Sequence, residues 1–293
     1  MWSEIFMPSI EQGLAFSIMA MGVYITFRVL KFSDLTVDGS FPLGGAVAAI
    51  LITKGTNPWL ATIIAFGCGC IAGCITGILN TKGNINELLS GILTMTALYS
   101  VNLRIMGKSN IGLLDQKNVF SPIENMGIDS KYMYLFLFII LVFALKLIMD
   151  WFLSTKLGLA LRATGNNAQM IRSLGVNTEL MKILGLGLSN GLIALSGALV
   201  AQYQGFADIG MGLGTIVAGL ASVIIGEMLI GGTKLSTITF SIILGSFVYR
   251  MCITIALRLG LNSTDLKLLT SVLVIITLVV PQVKDKVKLS LNN

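Results

Sequence analysis

The chain contains no histidine, and that single absence removes Ser-His hydrolysis, histidine-based metal sites and histidine proton relays together. Charge is scarce as well: Asp, Glu, Lys and Arg make up 12% of the 293 residues, against about 25% in soluble domains. The net charge of +6 does not point to nucleic acid, because the lysines and arginines stand singly beside apolar runs and form no phosphate-binding face. A nucleotide-binding loop is also missing. The nearest approach, Gly226-Glu-Met-Leu-Ile-Gly-Gly-Thr-Lys234, lacks the Gly-Lys-Ser/Thr ending and closes an apolar run instead of joining a strand to a helix. The chain is therefore not expected to bind ATP itself. Cys68, Cys70, Cys74 and Cys252 fall in apolar stretches without paired spacing and read as free, buried thiols. No lysine or arginine precedes Arg28, so the N-terminus lacks the basic region of a cleaved signal peptide.

What remains is apolar. Hydrophobic residues make up 55% of the chain and the mean hydropathy is +0.87, the composition of an integral membrane protein. Apolar runs lie at roughly Gln12 to Leu30, Phe41 to Thr53, Trp59 to Leu79, Glu87 to Met106, Tyr132 to Leu153, Leu180 to Gln202, Thr215 to Ile230, Leu235 to Leu257 and Leu266 to Val280. The second of these is shorter than the ~20 residues a simple span needs. Pro42, Pro58 and Pro281 fall at segment starts or ends, and Trp2, Trp59 and Trp151 lie near boundaries, as interface anchors should. The expected fold class is all-α: a polytopic membrane helical bundle of about nine segments, forming one transmembrane domain over residues 1–293.

Between two of the longest runs stands a polar interruption, Gly158 to Thr178, rich in arginine, asparagine and glycine. Such a segment cannot cross a bilayer and must lie in water or against a soluble partner. Placing it in the cytoplasm puts most of the lysines and arginines on that side, including the Lys-Asp-Lys-Val-Lys tail, which predicts an outer N-terminus and an inner C-terminus. The chain also repeats itself. A shift of 174 positions aligns Gly13-Leu14 with Gly187-Leu188, Ala20 with Ala194, Phe32-Ser-Asp34 with Phe206-Ala-Asp208, and Gly45 with Gly219. The halves, about 11–106 and 180–281, are separated by an odd fifth segment. They would therefore be inverted, with broken helices and a translocation path at their interface.

Ionisable residues in or beside apolar runs each cost roughly 2.5–3.5 kcal/mol at a helix centre, so Asp34, Asp38, Asp208, Glu227 and Arg250 should avoid lipid. Asp34, Thr36 and Asp38 lie where one helix breaks and another restarts. They are candidates either for a substrate path or for helix capping. Asn102, Glu227 and Arg250 could equally join helices by polar bonds. The spacing Gly69-x3-Gly73-x3-Gly77 reads as close backbone packing, within a bundle or a dimer.

The interruption has a more specific reading. Gly158-Leu-Ala-Leu-Arg-Ala-Thr-Gly165-x-Asn167, followed by Ser173-Leu-Gly175-Val176, resembles the cytoplasmic coupling segment of ABC importer permeases of the branched-chain amino acid and ribose type. Three further blocks resemble the subgroup paired with tryptophan- or tyrosine-binding lipoproteins: Asp34 to Phe41, Asn86 to Gly107, and Gly187-Leu-Ser-Asn-Gly through Asp208-Ile209. The resemblance implies a pore of two copies of this chain, a cytoplasmic ABC ATPase carrying ATP and Mg, and an extracellular substrate-binding lipoprotein. It implies a coupling role for Leu161, Arg162, Ala163, Gly165, Asn167, Ile171, Arg172 and Gly175. Leu161, Ala168, Ile171 and Leu174 would bury in an ATPase groove, while Arg162 and Arg172 supply polar contacts. Asp34, Thr36, Asp38, Asn102, Asp208 and Glu227 are the candidates for the translocation path. The implied function is ATP-driven import of an amino acid such as tryptophan or tyrosine, with no catalytic residue in this chain. A stand-alone ion-coupled secondary transporter would share the inverted halves, but it needs its own energy-coupling acid, for which only Asp34 and Asp208 qualify.

Overall fold

A computed structural model describes residues 3–114, 116–121, 130–232, 234–260, 265, 268–275 and 279, and the apolar runs within them are helices. Helix α1 (Ser3–Tyr24) continues through a π-helical stretch, Ile25–Val29, and then breaks. It is followed by α2 (Val37–Thr53), α3 (Pro58–Thr81), α4 (Glu87–Met106) and α5 (Ser130–Ser154). Two short helices fill the polar interruption, α6 (Lys156–Asn166) and α7 (Ala168–Ser173). Beyond them run α8 (Thr178–Gln204), α9 (Thr215–Leu229) and α10 (Leu235–Arg258). Residues 268–275 are helical as well, within the expected ninth segment, the rest of which lies largely outside the described residues. Local chemistry sets many boundaries. Asn57, Asn86 and Asn177 each accept backbone N–H groups at the starts of α3, α4 and α8. Glu87, in the first turn of α4, pairs with Lys182 on α8 at 3.2 Å.

Seven spans among the described residues are long and apolar enough to cross a membrane, α9 doing so together with the 3-10 turn Ile209–Gly212 before it, while α2 is too short. The protein is a multi-pass membrane bundle, largely α-helical. It is not wholly so, since strands β1 (Asn110–Gly112) and β2 (Phe206–Asp208) pair antiparallel in a short ribbon. Helices α1 and α8 form the centre. Ser189 Oγ donates to the Gly22 carbonyl and Ser196 Oγ to that of Ala15, each at 2.7 Å, and the Tyr203 hydroxyl donates to Glu11 at the same distance. Rising numbers on α8 meet falling numbers on α1, so the two run antiparallel. Helix α8 packs on α2 and α3, and α1 packs on α9 and α10. The spacing Gly69-x3-Gly73 serves contact within the chain: a Cβ there would come 2.4 Å from the Asn190 oxygen or 2.1 Å from that of Leu186. Helices α3, α4 and α5 turn Leu60, Ile63, Ile71, Tyr99, Phe136 and Trp151 outward, an apolar perimeter suited to lipid or another membrane chain.

The start of α2 differs from the expected one. The helix begins at Val37, ahead of the apolar run at Phe41, because Gly39 and Ser40 are buried among other helices and are not wet. Pro42 thus lies inside it and supplies no N–H to the Asp38 carbonyl one turn earlier. That carbonyl faces Gly212, where a Cβ would come within 2.1 Å of its oxygen.

Candidate functional site

The break after α1 is the polar centre of the molecule. Asp34 is fully buried; its Oδ1 accepts the Thr36 backbone N–H at 2.9 Å and its Oδ2 accepts from the Asn190 amide at 2.7 Å. The same Asn190 accepts from Ser40 Oγ at 2.7 Å, and Thr36 bonds Thr76 at 2.8 Å. Asn102 on α4 donates to the Gly39 carbonyl at 3.2 Å, while its own buried Oδ1 has no partner among the described residues. One network therefore fastens the break to α3, α4 and α8. It brings together Asp34, Thr36 and Asn102 among the residues expected on the path, and adds Ser40, Thr76 and Asn190. Asp34 works here as a clamp, holding a non-helical turn at bundle depth where lipid would supply no hydrogen bonds. Thr76→Val should cost about 1 kcal/mol, the worth of one such bond, and Thr76→Ser should cost less. Thermal unfolding in detergent checks this, and equal midpoints for the two variants would remove Thr76 from the network.

The other expected path residues stand apart. Asp38 does cap a helix, but the helix is α9: its carboxylate accepts from the Gly214 and Ile216 backbone N–H groups and from Thr215 Oγ1, at 2.9–3.0 Å. Asp208 lies in β2, where it accepts from Gly210 N at 2.7 Å and from the Asn110 amide at 3.4 Å. Glu227, near the end of α9, forms an ion pair with Arg28, which follows α1. Sequence spacing could not distinguish these settings, because each depends in part on residues from distant elements: Gly214 to Ile216 for Asp38, Asn110 for Asp208 and Arg28 for Glu227.

The polar interruption is anchored from beneath. Thr155 caps α6 and Asn167 caps α7. Leu161 and Ile171 are buried within the permease itself, so they are not free to enter a partner's groove. Gly165 lies directly on the end of α1, where a Cβ would come 1.9 Å from the Val29 carbonyl oxygen. Ala163 is half-buried, while Asn167, Arg172 and Gly175 are exposed. Arg172 donates to Thr178 Oγ1 at 3.1 Å and Gly175 makes the turn with φ of +83°. The apolar groups turned outward are Leu157, Leu159, Met170 and Leu174. Immediately before α6, Lys146 and Asp150 pair at 2.7 Å and bond Ser236 and Thr239, which ties α5 to α10. Among the described residues no group of three or more Asp, Glu or Cys side chains could hold a metal.

Sequence reasoning passed over Asn190 and Thr76 as helix interior, although each is a polar side chain in an apolar run, which is the one signal that marks them; Ser40 stands just ahead of the run at Phe41, with no such signal. Comparison with known proteins agrees with a transport architecture. The chain is 49% identical to the tyrosine transport system permease protein of Clostridioides difficile, over 90% of this chain and 87% of the relative. It is 24% identical to the ribose import permease protein of Escherichia coli, over 80% and 74%. The solved complex of PsaBC from Streptococcus pneumoniae with Fab shares the fold at a TM-score of 0.55 and 14% identity, covering 92% of this chain and 89% of that one. A family model described as the permease component of branched-chain amino acid transport systems matches residues 7–279, so the chain belongs to that family and is the transmembrane permease component of an ABC-type import system.

Proposed function

We propose that two copies of this chain form the pore of an importer for an aromatic amino acid such as tyrosine. A separate ABC ATPase carries the ATP and Mg and docks on residues 158–178. A substrate-binding lipoprotein feeds the outer face. The observation that carries the reading is the two-sided interruption: α6 and α7 hold the permease through Leu161, Gly165 and Ile171, and turn Met170, Arg172 and Leu174 outward. An exposed apolar strip with charged neighbours on short helices suits a protein groove. The substrate rests on the likeness to the tyrosine permease. The antiparallel α1 and α8, each followed by a break and a shorter helix, support inverted halves about 11–106 and 180–281 within one domain. Their interface then offers Asp34, Thr36 and Asn102 to the path, with Asp38, Asp208 and Glu227 bracing the moving ends.

The test is reconstitution with the cognate ATPase and receptor in liposomes. Tyrosine uptake should require ATP and both partners; uptake by this chain alone on a proton or sodium gradient would sink the reading. Arg162→Glu should lower ATP-driven uptake about tenfold, equivalent to about 1.4 kcal/mol, with membrane insertion unchanged. Wild-type uptake in that variant would remove Arg162 from the docking surface.

A further inference from the structure

Apart from the polar break, the bundle has an open cavity of about 530 Å³ between α1, α9, α10 and the 268–275 helix. That volume lies within the ~300–1,000 Å³ of small-molecule sites. Its apolar wall includes Phe16, Met211, Leu213, Val217 and Ile253, and the one charged residue among its described lining is Arg250. The Arg250 guanidinium carbon sits 3.8 Å from the centre of the Phe16 ring. Its Nε is buried and has no hydrogen-bond partner among the described residues. Stacking on Phe16 engages the face of the guanidinium, whereas its N–H donors point out along the edge in a fork that fits a carboxylate. The acids on the packed elements have partners already: Glu11 of α1 accepts from the Tyr203 hydroxyl, Glu227 of α9 pairs with Arg28, and Asp38 is engaged by Gly214, Thr215 and Ile216 at the start of α9.

We propose that this cavity holds the transported ligand inside the permease, with a carboxylate on Arg250 and the aromatic or apolar body of the same molecule against Phe16 and its neighbours. The inference rests on the aromatic amino acid reading above and adds a binding residue to it. Neither Arg250 nor Phe16 belongs to the clamp around Asp34. An aromatic amino acid offers both halves of the chemistry, a planar anion and a ring, at a size the cavity admits. An anionic lipid offers the same chemistry from a different source, and the experiment separates the two.

The test uses the permease with its ATPase in nanodiscs of neutral phosphatidylcholine, with saturation-transfer NMR on added L-tyrosine. Signal should reach the ring protons of L-tyrosine, and it should fall at least tenfold for tyramine, which lacks the carboxylate. Arg250→Gln should lower the tyrosine signal to a similar degree, Arg250→Lys should retain part of it, and Phe16→Leu should lower it a few-fold. Adding phosphatidylglycerol should leave it unchanged. Equal signals from tyrosine and tyramine on the wild type would overturn the inference even if Arg250→Gln failed to fold, and so would loss of the tyrosine signal on adding the anionic lipid. Tyrosine uptake by the wild-type complex in liposomes separates the two failures. Uptake without an Arg250-dependent binding signal defeats this site alone, whereas absence of both uptake and binding defeats the substrate reading beneath it.

Discussion

Replacing Asp34 by alanine will abolish uptake and lower the unfolding midpoint more than any other single change in the polar break. The substitution strands two buried N–H donors, that of Thr36 and one of the Asn190 amide, whose NH2 keeps its bond to the Leu186 carbonyl at 3.0 Å. Each unsatisfied group costs about 1–3 kcal/mol, so the pair amounts to roughly 2–6 kcal/mol. Asp34→Asn is the sharper probe because it preserves shape. One amide oxygen can still accept from Thr36, but the new NH2 group would then face the Asn190 NH2. Turning Asn190 over to relieve that clash would set its oxygen against the Leu186 carbonyl, to which its NH2 now donates at 3.0 Å. Thermal unfolding in detergent and tyrosine uptake in liposomes should therefore both suffer in the asparagine variant. Wild-type behaviour there would show that the carboxylate's charge and acceptor pattern are irrelevant to the break.

The second large effect is expected at Gly165. A methyl group at this position would come 1.9 Å from the Val29 carbonyl oxygen and 2.9 Å from Leu30 Cα, both backbone atoms that no rotamer change can move. Helix α6 must lift by about 1 Å to bring that oxygen back to 3.0 Å, the shortest contact a Cβ tolerates. Overpacking of this kind costs about 1–3 kcal/mol. Its functional consequence is larger, because the contact is where the interruption meets the end of α1, and α1 leads directly into the break held by Asp34. Gly165→Ala should leave ATP hydrolysis by the assembled complex within a few-fold of wild type and reduce uptake more than tenfold. Equal loss of both activities would point to failed docking, and full uptake would break the proposed link between α6 and the break.

Much of this protein was legible in its composition. The scarcity of charge and the lengths of the apolar runs fixed a membrane bundle, and Gly158 to Thr178 stood out because arginine and asparagine cannot lie in lipid. The small-residue spacing on α3 announced close packing correctly, since a missing Cβ is itself the feature that permits contact. The start of α2 lies earlier than the apolar run at Phe41 because Gly39 and Ser40, which carry no apolar side chain to signal burial, are nevertheless buried by α4 and α8. Leu161 and Ile171 were misread for a different reason. An amphipathic pattern says that one face is buried, but it does not say whether the burying surface belongs to the same chain or to a partner.

The sequence by itself determined the solvent this chain lives in, the approximate limits of most of its long helices, and a polar segment that must leave the bilayer. Those properties follow from transfer free energies summed over contiguous residues, which need no knowledge of neighbours. Only the tertiary structure decided that Asp34 meets Asn190 from the other half of the chain, that Asp38 caps α9, and that Arg250 lies over Phe16 beside a cavity. These pairings join residues more than a hundred positions apart. A polar side chain in an apolar run is energetically incomplete alone, and the partner that completes it is set by how the helices pack.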